Sequence, residues 1–307
     1  MLEIGNSADA FHPFPTDRPE WTEAVWFGTH VPQRALSLYV YQWFRPVLGI
    51  YGGGCIVWDR SARVPWDAPL FQYDVNRPIL ERLRLHDLAL DNGTSIACLR
   101  EGLEYAVRFQ NSRASLALKF SAVATPHLTA RDGAANFFAG HLDQPGRYTG
   151  SLEIEGTRYE IDSYGIRDRS WGPRVIRDDV RLGYFHAEAD HVCLLGFCHA
   201  AQAGQPVFNG YLVLDGDRQP LLKGKRETEF RDGRLAKISF ELEDTAGRTI
   251  AGLGTPLNEF AYMPYPNLLS RHYLMRWDIR GKIAYGEEQD LWSLPLWRAQ
   301  LRTGGLA

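Results

Sequence analysis

The sequence predicts an all-β protein of antiparallel strands, and three observations support this prediction. Aromatic residues are abundant, with 9 Trp, 14 Tyr and 15 Phe, and large aromatic side chains favour strands over helices. Short turn signals separate segments in which polar and apolar residues alternate. Helix signals are few, and we expect only a single turn near residues 78–84 and a short helix or irregular loop at residues 264–274.

Five turn signals combine glycine with a neighbour that is common in tight turns: Asp91-Asn92-Gly93, Glu155-Gly156, Asp215-Gly216, Asp232-Gly233 and Ala246-Gly247. The clearest series covers residues 208–254, where three of these turns connect four strands in up-and-down order. Regular spacing of this kind is typical of antiparallel meanders, barrels and sandwiches. The sequence therefore predicts a protein built from consecutive hairpins.

Composition and charge exclude several classes of partner. The chain has 307 residues, of which 45% are hydrophobic and 23% charged, with a formal net charge of −3 and no long run of lysine or arginine. Binding of nucleic acid needs a concentrated basic face, so we expect no nucleic acid partner. No apolar stretch approaches the roughly 18 residues of a membrane-spanning helix, and no basic segment followed by an apolar one marks a secretory signal. We therefore expect no integral membrane segment and a cytoplasmic location.

The sequence lacks the motifs of the common cofactor and metal enzymes. It contains no G-x-S-x-G nucleophile elbow, no phosphate-binding loop and no dinucleotide fingerprint ahead of a helix. The glycine-rich stretch at residues 49–54 lies within a strand, where glycine indicates a bulge or a close approach of two backbones. Because no paired ligand spacing for a metal is present either, we predict no cofactor and no metal.

Residues 164–174 concentrate charge and aromatic surface, with three arginines, one aspartate and a tryptophan. On an ideal strand the two faces carry different sets, Asp168 with Tyr164 on one and Arg167, Arg169 and Trp171 on the other. We expect a bend at Gly165 that directs both sets to one cavity, because glycine interrupts the strand pattern there. Asp168 is then a catalytic residue or an anchor for a substrate hydroxyl; the alternative is a surface corner where it only pairs with an arginine.

Two other polar clusters could contribute chemistry. His141 and Asp143 stand two positions apart, so they could face the same way, although the segment could also be a polar linker. Near the end of the chain, alternation places Glu288 and Asp290 on one face of a strand and Glu287 on the other; the alternative is an exposed last strand.

Three histidines, His186, His191 and His199, lie on or beside one predicted hairpin. An imidazole titrates near neutral pH, so these residues are candidates for proton transfer as well as ordinary strand residues.

Three segments resemble bacterial members of the AttH-like, carotenoid (hydroxyneurosporene) hydratase-like superfamily. They are residues 164–172 (Tyr-Gly-Ile-Arg-Asp-Arg-Ser-Trp-Gly), 144–147 (Gln-Pro-Gly-Arg) and 286–292 (Gly-Glu-x-Gln-Asp-x-Trp). The hydratase branch often shows Asp-His-x-Trp-Gly, to which Asp168, Trp171 and Gly172 correspond. Arg169 stands at the histidine position, which removes a titratable proton donor.

The resemblance implies two tandem lipocalin-like antiparallel β-barrels, which we place at residues 1–145 and 146–307; the runner-up architecture is a two-sheet sandwich. The superfamily includes hydroxyneurosporene synthase, kievitone hydratase, plant tocopherol cyclase and fungal lipocalin-like Diels–Alderases. It thus implies a lyase (hydratase or dehydratase), isomerase or cyclase that needs no cofactor and acts on a hydrophobic unsaturated molecule such as a terpenoid, polyketide, steroid or aromatic.

Two other functions stay open: a non-catalytic lipocalin-like binding protein for a hydrophobic ligand, and a carbohydrate-active protein with two facing carboxylates. For the enzyme, the catalytic candidates are Asp168, Arg169, Glu287 and His186. The candidate substrate-binding residues are Tyr164, Arg167, Trp171, His199, Asn209, Tyr211, Asp290 and Trp292. The expected partner is a hydrophobic small molecule, and a second copy of the chain, as a homodimer, is a further candidate.

Overall fold

A computed structural model describes residues 1–5, 7–130 and 138–303 of the chain. Strands account for 66% of the structure and helix for 5%, which confirms the all-β prediction. The residues divide into two compact units. The first consists of Met1–Val31, Ser37–Val57 and Ala68–Val175, and the second of Pro32–Leu36, Trp58–Asp67 and Ile176–Ala307.

The first sheet contains eleven antiparallel strands in a curled half-barrel. They are β1 (Trp21–Val31), β2 (Leu36–Arg45), β3 (Ile50–Trp58), β4 (Leu70–Pro78), β5 (Asp87–Ala89), β6 (Thr94–Arg100), β7 (Glu104–Gln110), β8 (Ala114–Ala122), β9 (His127–Ala130), β10 (Gly140–Ile154) and β11 (Thr157–Pro173). The order is β4-β3-β2-β1-β11-β10-β8-β7-β6-β5, with β9 also paired to β10. The longest strands, β10 and β11, therefore lie in the middle of the sheet.

The boundary between the units differs from the expected position at residues 145 and 146. Strands β10 and β11 form one hairpin that pairs with β8 on one side and with β1 on the other, so residues up to Val175 belong to the first unit. The physical reason is backbone hydrogen bonding, because the N–H and C=O groups on both sides of these long strands pair with other strands of the first sheet.

The second sheet closes into a barrel. Its strands are β12 (Arg181–Ala189), β13 (Val192–Cys198), β14 (Pro206–Leu214), β15 (Asp217–Arg231), β16 (Arg234–Asp244), β17 (Thr249–Pro256), β18 (Phe260–Tyr265), β19 (Leu268–Ile279) and β20 (Lys282–Ser293). The order is β17-β16-β15-β14-β13-β12-β20-β19-β18, and pairing of β17 with β19 closes eight strands into a ring. The predicted up-and-down series at residues 208–254 corresponds to β14–β17.

Alternation along the strands separates two faces of this barrel. One face forms a hydrophobic core that includes Phe185, Leu194, Leu212, Phe240 and Trp277. Residues one position along each strand point to the other face. The two faces of β12, β19 and β20 therefore carry different candidate site residues.

The hairpin turns predicted at glycine-containing residue pairs are present in the structure. At Glu155-Gly156, Asp215-Gly216 and Asp232-Gly233 both residues have positive φ, and the flanking strands are joined by these two residues alone. This is the type I′ conformation, which matches the twist of a hairpin. Arg280-Gly281 forms a fourth turn of the same kind between β19 and β20.

The helix predictions were wrong in position. Residues 264–274 lie mostly in the hairpin of β18 and β19, because the pairing of β19 with β20 along its whole length outweighs the local prolines. Helix α1 (Leu294–Arg302) follows β20 instead. No helix in the described ranges has the length and hydropathy needed to cross a membrane.

Candidate functional site

Strand β11 places Asp168 at the centre of the first sheet. It lies opposite Trp26 of β1 and opposite Asp143 of β10. Residues directly opposite on antiparallel strands share a face, so these three side chains project to the same side. His141 stands two positions before Asp143 on β10 and therefore shares that side, as the sequence predicted.

His141, Asp143 and Asp168 form a compact group, which we call the carboxylate–histidine cluster. Nδ1 of His141 lies 3.0 Å from Oδ2 of Asp143. One ligand atom from each of the three residues lies within 4.8 Å of the others. Asp143 is fully buried, His141 nearly so, and Asp168 partly. The segment that could have been a polar linker is thus an interior strand.

Burial is the main cause that raises the pKa of Asp168 to about 6. The Asp143 carboxylate acts in the same direction, while the positive groups of His141, Arg174 and Arg169 oppose it. Burial lowers the pKa of His141, but the paired Asp143 outweighs this effect, and the net pKa is raised. Asp168 can therefore exchange a proton near neutral pH, which general acid–base catalysis requires, and His141 favours its charged form.

Aromatic rings lie on the same side as the cluster. The ring of Trp26, opposite Asp168, packs on Tyr39 with 3.8 Å between centroids, and Tyr41 follows at 5.7 Å. Phe138 contacts His141 with 5.1 Å between ring centroids. Aromatic faces attract positive charge, so this side of the sheet combines a titratable acid with a surface suited to a cation.

Arg167, Arg169 and Trp171 project to the opposite side of β11, and the expected bend at Gly165 is absent. The pairing of β11 with β10 continues through Gly165, and its pairing with β1 extends as far as Gly165, in both cases without a shift in register. A Cβ at this position would lie 2.3 Å from the backbone oxygen of Gly28. Glycine therefore serves close approach of two strands here, and the alternation of side chains continues.

The residues on this opposite side bind the N-terminal segment of the chain. Arg167 donates to both oxygens of Asp9, at 2.5 and 3.2 Å, and its guanidinium lies 4.3 Å from the ring centre of Tyr105. Arg169, fully buried, donates to the backbone oxygens of Ala24 and Ala10 and to Glu23 at 3.0 Å. These bonds hold a buried ion-pair network in place and leave the arginines away from the face of Asp168.

Trp171 and Tyr164 also lie on opposite faces of β11. Trp171 stacks on His12 with 3.8 Å between ring centroids, on the side of Arg167 and Arg169. Tyr164 lies four residues before Asp168, on the face of the cluster, and is partly buried. The backbone oxygen of Tyr164 accepts a hydrogen bond from Thr29 at 3.1 Å.

The second unit contains another polar group on the barrel face opposite the core. Oγ of Ser270 lies 2.7 Å from Nε2 of His272, and Nδ1 of His272 hydrogen-bonds to Glu287. An ionised carboxylate only accepts, so Nδ1–H would donate to Glu287 and Nε2 would accept from the Ser270 hydroxyl. All three residues are buried, and the ring of Tyr262 stacks on His272 at 5.4 Å.

His186 and Glu188 lie beside this chain of hydrogen bonds, on β12. Nδ1 of His186 lies 2.8 Å from Oε2 of Glu188. Burial raises the pKa of Glu188, the nearby Glu287 acts in the same direction, and His186 opposes them. The predicted candidates His186 and Glu287 are therefore brought near one another. By register, Tyr211 and Asn209 project to this same face.

The opposite face of β20, toward the barrel core, contains Glu288, Asp290 and Trp292, as alternation predicted. Glu288 forms a buried ion pair with Arg226, and burial is the main cause that raises the pKa of Glu288 to about 7. Asp290 accepts from Arg181 at 3.2 Å, and the guanidinium of Arg181 lies 3.9 Å from the ring centre of Trp292. Asp290 and Trp292 are therefore separated from His186 and Glu287 by the sheet itself.

His199 is exposed just after β13 and stacks on Phe208 at 4.3 Å between centroids. Sequence reasoning did not single out Ser270, His272 or Glu188. Each belongs to a pair of polar residues spaced two apart on a strand, as His141 and Asp143 do. Two polar residues at this spacing share one face of a strand, and this pattern could have identified these residues from the sequence.

The carboxylate–histidine cluster is also the group with suitable spacing for a metal ion within residues 1–5, 7–130 and 138–303. Two carboxylates and an imidazole are ordinary ligands of divalent metals. The sequence contained no paired ligand motif, because the three residues come together only through strand pairing.

Comparison with known proteins identifies the fold. A family model described as a domain of unknown function (DUF7064) matches residues 5–287. No curated protein sequence matches the chain. The structure is similar to that of a protein assigned as AttH from Nitrosomonas europaea, with 13% identity over 88% of this chain and 91% of that one, and a TM-score of 0.58.

Two further solved structures are similar at low identity. Kievitone hydratase from Nectria haematococca is 10% identical over 89% of each chain, with a TM-score of 0.55. CghA is 14% identical over 90% of this chain and 89% of that one, with a TM-score of 0.59. The resemblance predicted from the sequence, to AttH-like proteins with lipocalin-like folds, is thus confirmed for the fold.

Proposed function

This chain belongs to the family described as a domain of unknown function (DUF7064), and we propose that it is a cofactor-independent enzyme acting on a hydrophobic, unsaturated small molecule. The reaction is hydration or its reverse, or an isomerisation or cyclisation that begins with the same protonation. Suitable substrates are terpenoids, polyketides, steroids or aromatic compounds. A cytoplasmic location and a homodimeric state remain predictions.

One observation carries the proposal: Asp168 is an acid whose pKa lies at about 6, and it faces the same side as the ring of Trp26. An acid with this pKa retains a useful protonated fraction near neutral pH and still transfers its proton readily. The similarity to kievitone hydratase supports a hydration-type reaction without establishing it.

In the proposed reaction, protonated Asp168 gives its proton to one carbon of a double bond, and positive charge develops on the other carbon. The rings of Trp26 and Tyr39 stabilise that charge. Addition of water then gives an alcohol, and the proton that water loses returns to the Asp168 carboxylate. Where water is excluded, the Asp168 carboxylate removes a neighbouring C–H proton, and the product is an isomer. In a cyclisation a second double bond attacks the cation, and the resulting cyclic cation loses a proton to the Asp168 carboxylate.

His141 and Asp143 act as positioning residues in this scheme. The Asp143 carboxylate holds the imidazole of His141 at 3.0 Å and favours its charged form. The positive charge of the His141 imidazole opposes the effect of burial on the pKa of Asp168, which helps to hold that pKa at about 6.

The test uses a panel of unsaturated terpenoids, polyketides, steroids and aromatic compounds incubated with purified protein in D₂O. Mass spectrometry detects addition of water or incorporation of deuterium at carbon. Asp168→Asn should lower the rate by about 10²-fold or more, because a positioned general acid contributes roughly that much. Asp162→Asn is the matched control, since Asp162 is an exposed carboxylate on the same strand, paired with Arg147.

Two outcomes would contradict the proposal. Equal rates in Asp168→Asn and the wild-type protein would exclude Asp168 as the acid. Tight binding of a panel compound without any turnover would instead support the alternative, a non-catalytic lipocalin-like binding protein.

A further inference from the structure

An open surface cavity in the second unit has three arginines among its lining residues, of which Arg60 and Arg234 are exposed and Arg63 is half-buried. It has a volume of about 270 Å³, and its lining includes Arg60, Arg63, Arg234, Glu259 and Tyr273. We call it the arginine cavity. All of these residues belong to the second unit, because the segment Trp58–Asp67 packs with that unit.

The positive charge of the arginine cavity is largely uncompensated. Arg60 donates to the backbone oxygen of Leu257 at 3.2 Å, and Arg63 donates to that of Ala62 at 3.1 Å. Neither has a carboxylate partner among the residues that the structure describes. Arg234 lies 3.6 Å from Glu259, beyond hydrogen-bond distance. The three guanidinium groups therefore share one carboxylate.

That carboxylate is already bound by a fourth arginine. Nη2 of Arg271 donates to Oε1 of Glu259 at 2.7 Å, and the hydroxyl of Tyr273 lies 3.5 Å from the same oxygen. Arg271 is 5% exposed, and its Nη1 has no hydrogen-bond partner in the described structure. Arg271 is not among the residues that line the arginine cavity, so its effect there is to neutralise Glu259.

We propose that the arginine cavity binds an oxoanion of the phosphate type, either inorganic phosphate or the phosphate group of an organic molecule. Guanidinium groups present planar, forked donors that match phosphate oxygens and remain charged at all relevant pH values. An oxoanion with two negative charges balances the excess of arginines better than a carboxylate does. The volume suits a compact charged group, and the site is independent of the proposed acid catalysis.

The experiment is calorimetric titration of the full-length protein with inorganic phosphate and, separately, with phenyl phosphate. Sodium chloride at matched ionic strength corrects for general screening. The double variant Arg63→Gln/Arg234→Gln should raise the Kd for both probes at least tenfold. The control Arg231→Gln/Arg298→Gln removes the same charge from exposed positions outside the cavity and should leave both Kd values unchanged.

Comparison of the two probes identifies the source of the anion. Tighter binding of phenyl phosphate indicates an organic phosphate, and equal or weaker binding indicates the inorganic ion; both support the site. A second variant, Glu259→Gln, removes the competing carboxylate and should lower the Kd several-fold. The proposal is overturned if phosphate binds no better than chloride, or if the cavity and control variants weaken binding equally.

Discussion

Burial of the Asp168 carboxyl links folding to pH at the scale of a single residue. Its pKa is raised from 3.8 to about 6 in the folded protein, so folding favours the protonated form. The contribution to stability is fully present below pH 3.8 and is lost as the pH rises through 6. Asp168→Asn keeps the shape of the neutral acid, so it should be about 3 kcal/mol more stable than wild type at pH 8. At pH 4 the difference should nearly vanish.

Urea unfolding of the two proteins at pH 4 and pH 8 measures this difference. Asp162→Asn is the control, because Asp162 is exposed and its ion pair with Arg147 lowers its pKa. That variant should not gain stability at pH 8. A variant at 168 that is destabilised equally at both pH values would contradict the raised pKa of this carboxyl.

Arg169 illustrates a residue whose surroundings differ from those that its sequence motif suggested. The motif placed it beside Asp168, where a family histidine is common, and it was therefore a catalytic candidate. In the structure its guanidinium is buried and bonded to two backbone oxygens and to Glu23. Removing one partner of such a buried pair leaves an uncompensated charge, so its interactions serve the fold.

At the scale of elements, two neighbouring glycines have different steric environments: Gly286 lies within β20, and Gly281 lies in the turn that precedes it. At Gly286 a Cβ would lie 2.1 Å from the backbone oxygen of His186, whereas at Gly281 nothing lies within 4 Å. Gly286→Ala should therefore force β12 and β20 apart and cost about 3 kcal/mol, as overpacking does. Gly281→Ala strains only a turn with φ of 75°, at about 1 kcal/mol.

Thermal unfolding of both variants tests this contrast, and each serves as the control for the other. Gly286→Ala should also perturb the pair His186 and Glu188, since β12 is the strand that must move. Comparable losses of stability in the two variants would show that the close approach of β12 and β20 is unimportant.

The elements also show how far strand alternation can be read from sequence. Alternation correctly separated Glu288 and Asp290 from Glu287, because β20 pairs without a bulge along β19. It would equally have separated Asp168 from Arg167, had the glycine at 165 not suggested a bend. A glycine within a strand permits either a bend or a close approach of two backbones. The pairing with the neighbouring strand determines which of the two occurs.

At the scale of the whole molecule, the proposed enzyme should not depend on a metal ion. The carboxylate–histidine cluster offers suitable ligands, but the proposed proton transfer uses the same residues without one. Protein purified without a metal-binding tag should keep its activity and its unfolding temperature after treatment with EDTA. Elemental analysis provides the check: a stoichiometric metal that is lost together with activity, and absent from His141→Ala, would replace the proposed mechanism with a metal-assisted one.

The local features of this protein were determined by its sequence alone. Turn dipeptides with glycine, abundant aromatic residues and alternating polarity specified hairpins, because each depends on residues close along the chain. Tertiary structure alone decided that the second sheet closes through β17 and β19, and that β11 lies between β1 and β10. It also decided the site, since Asp168, Asp143 and Trp26 lie on three separate strands. The physical reason is that pairing between distant strands sets which side chains meet, and the pKa of Asp168 follows from that burial.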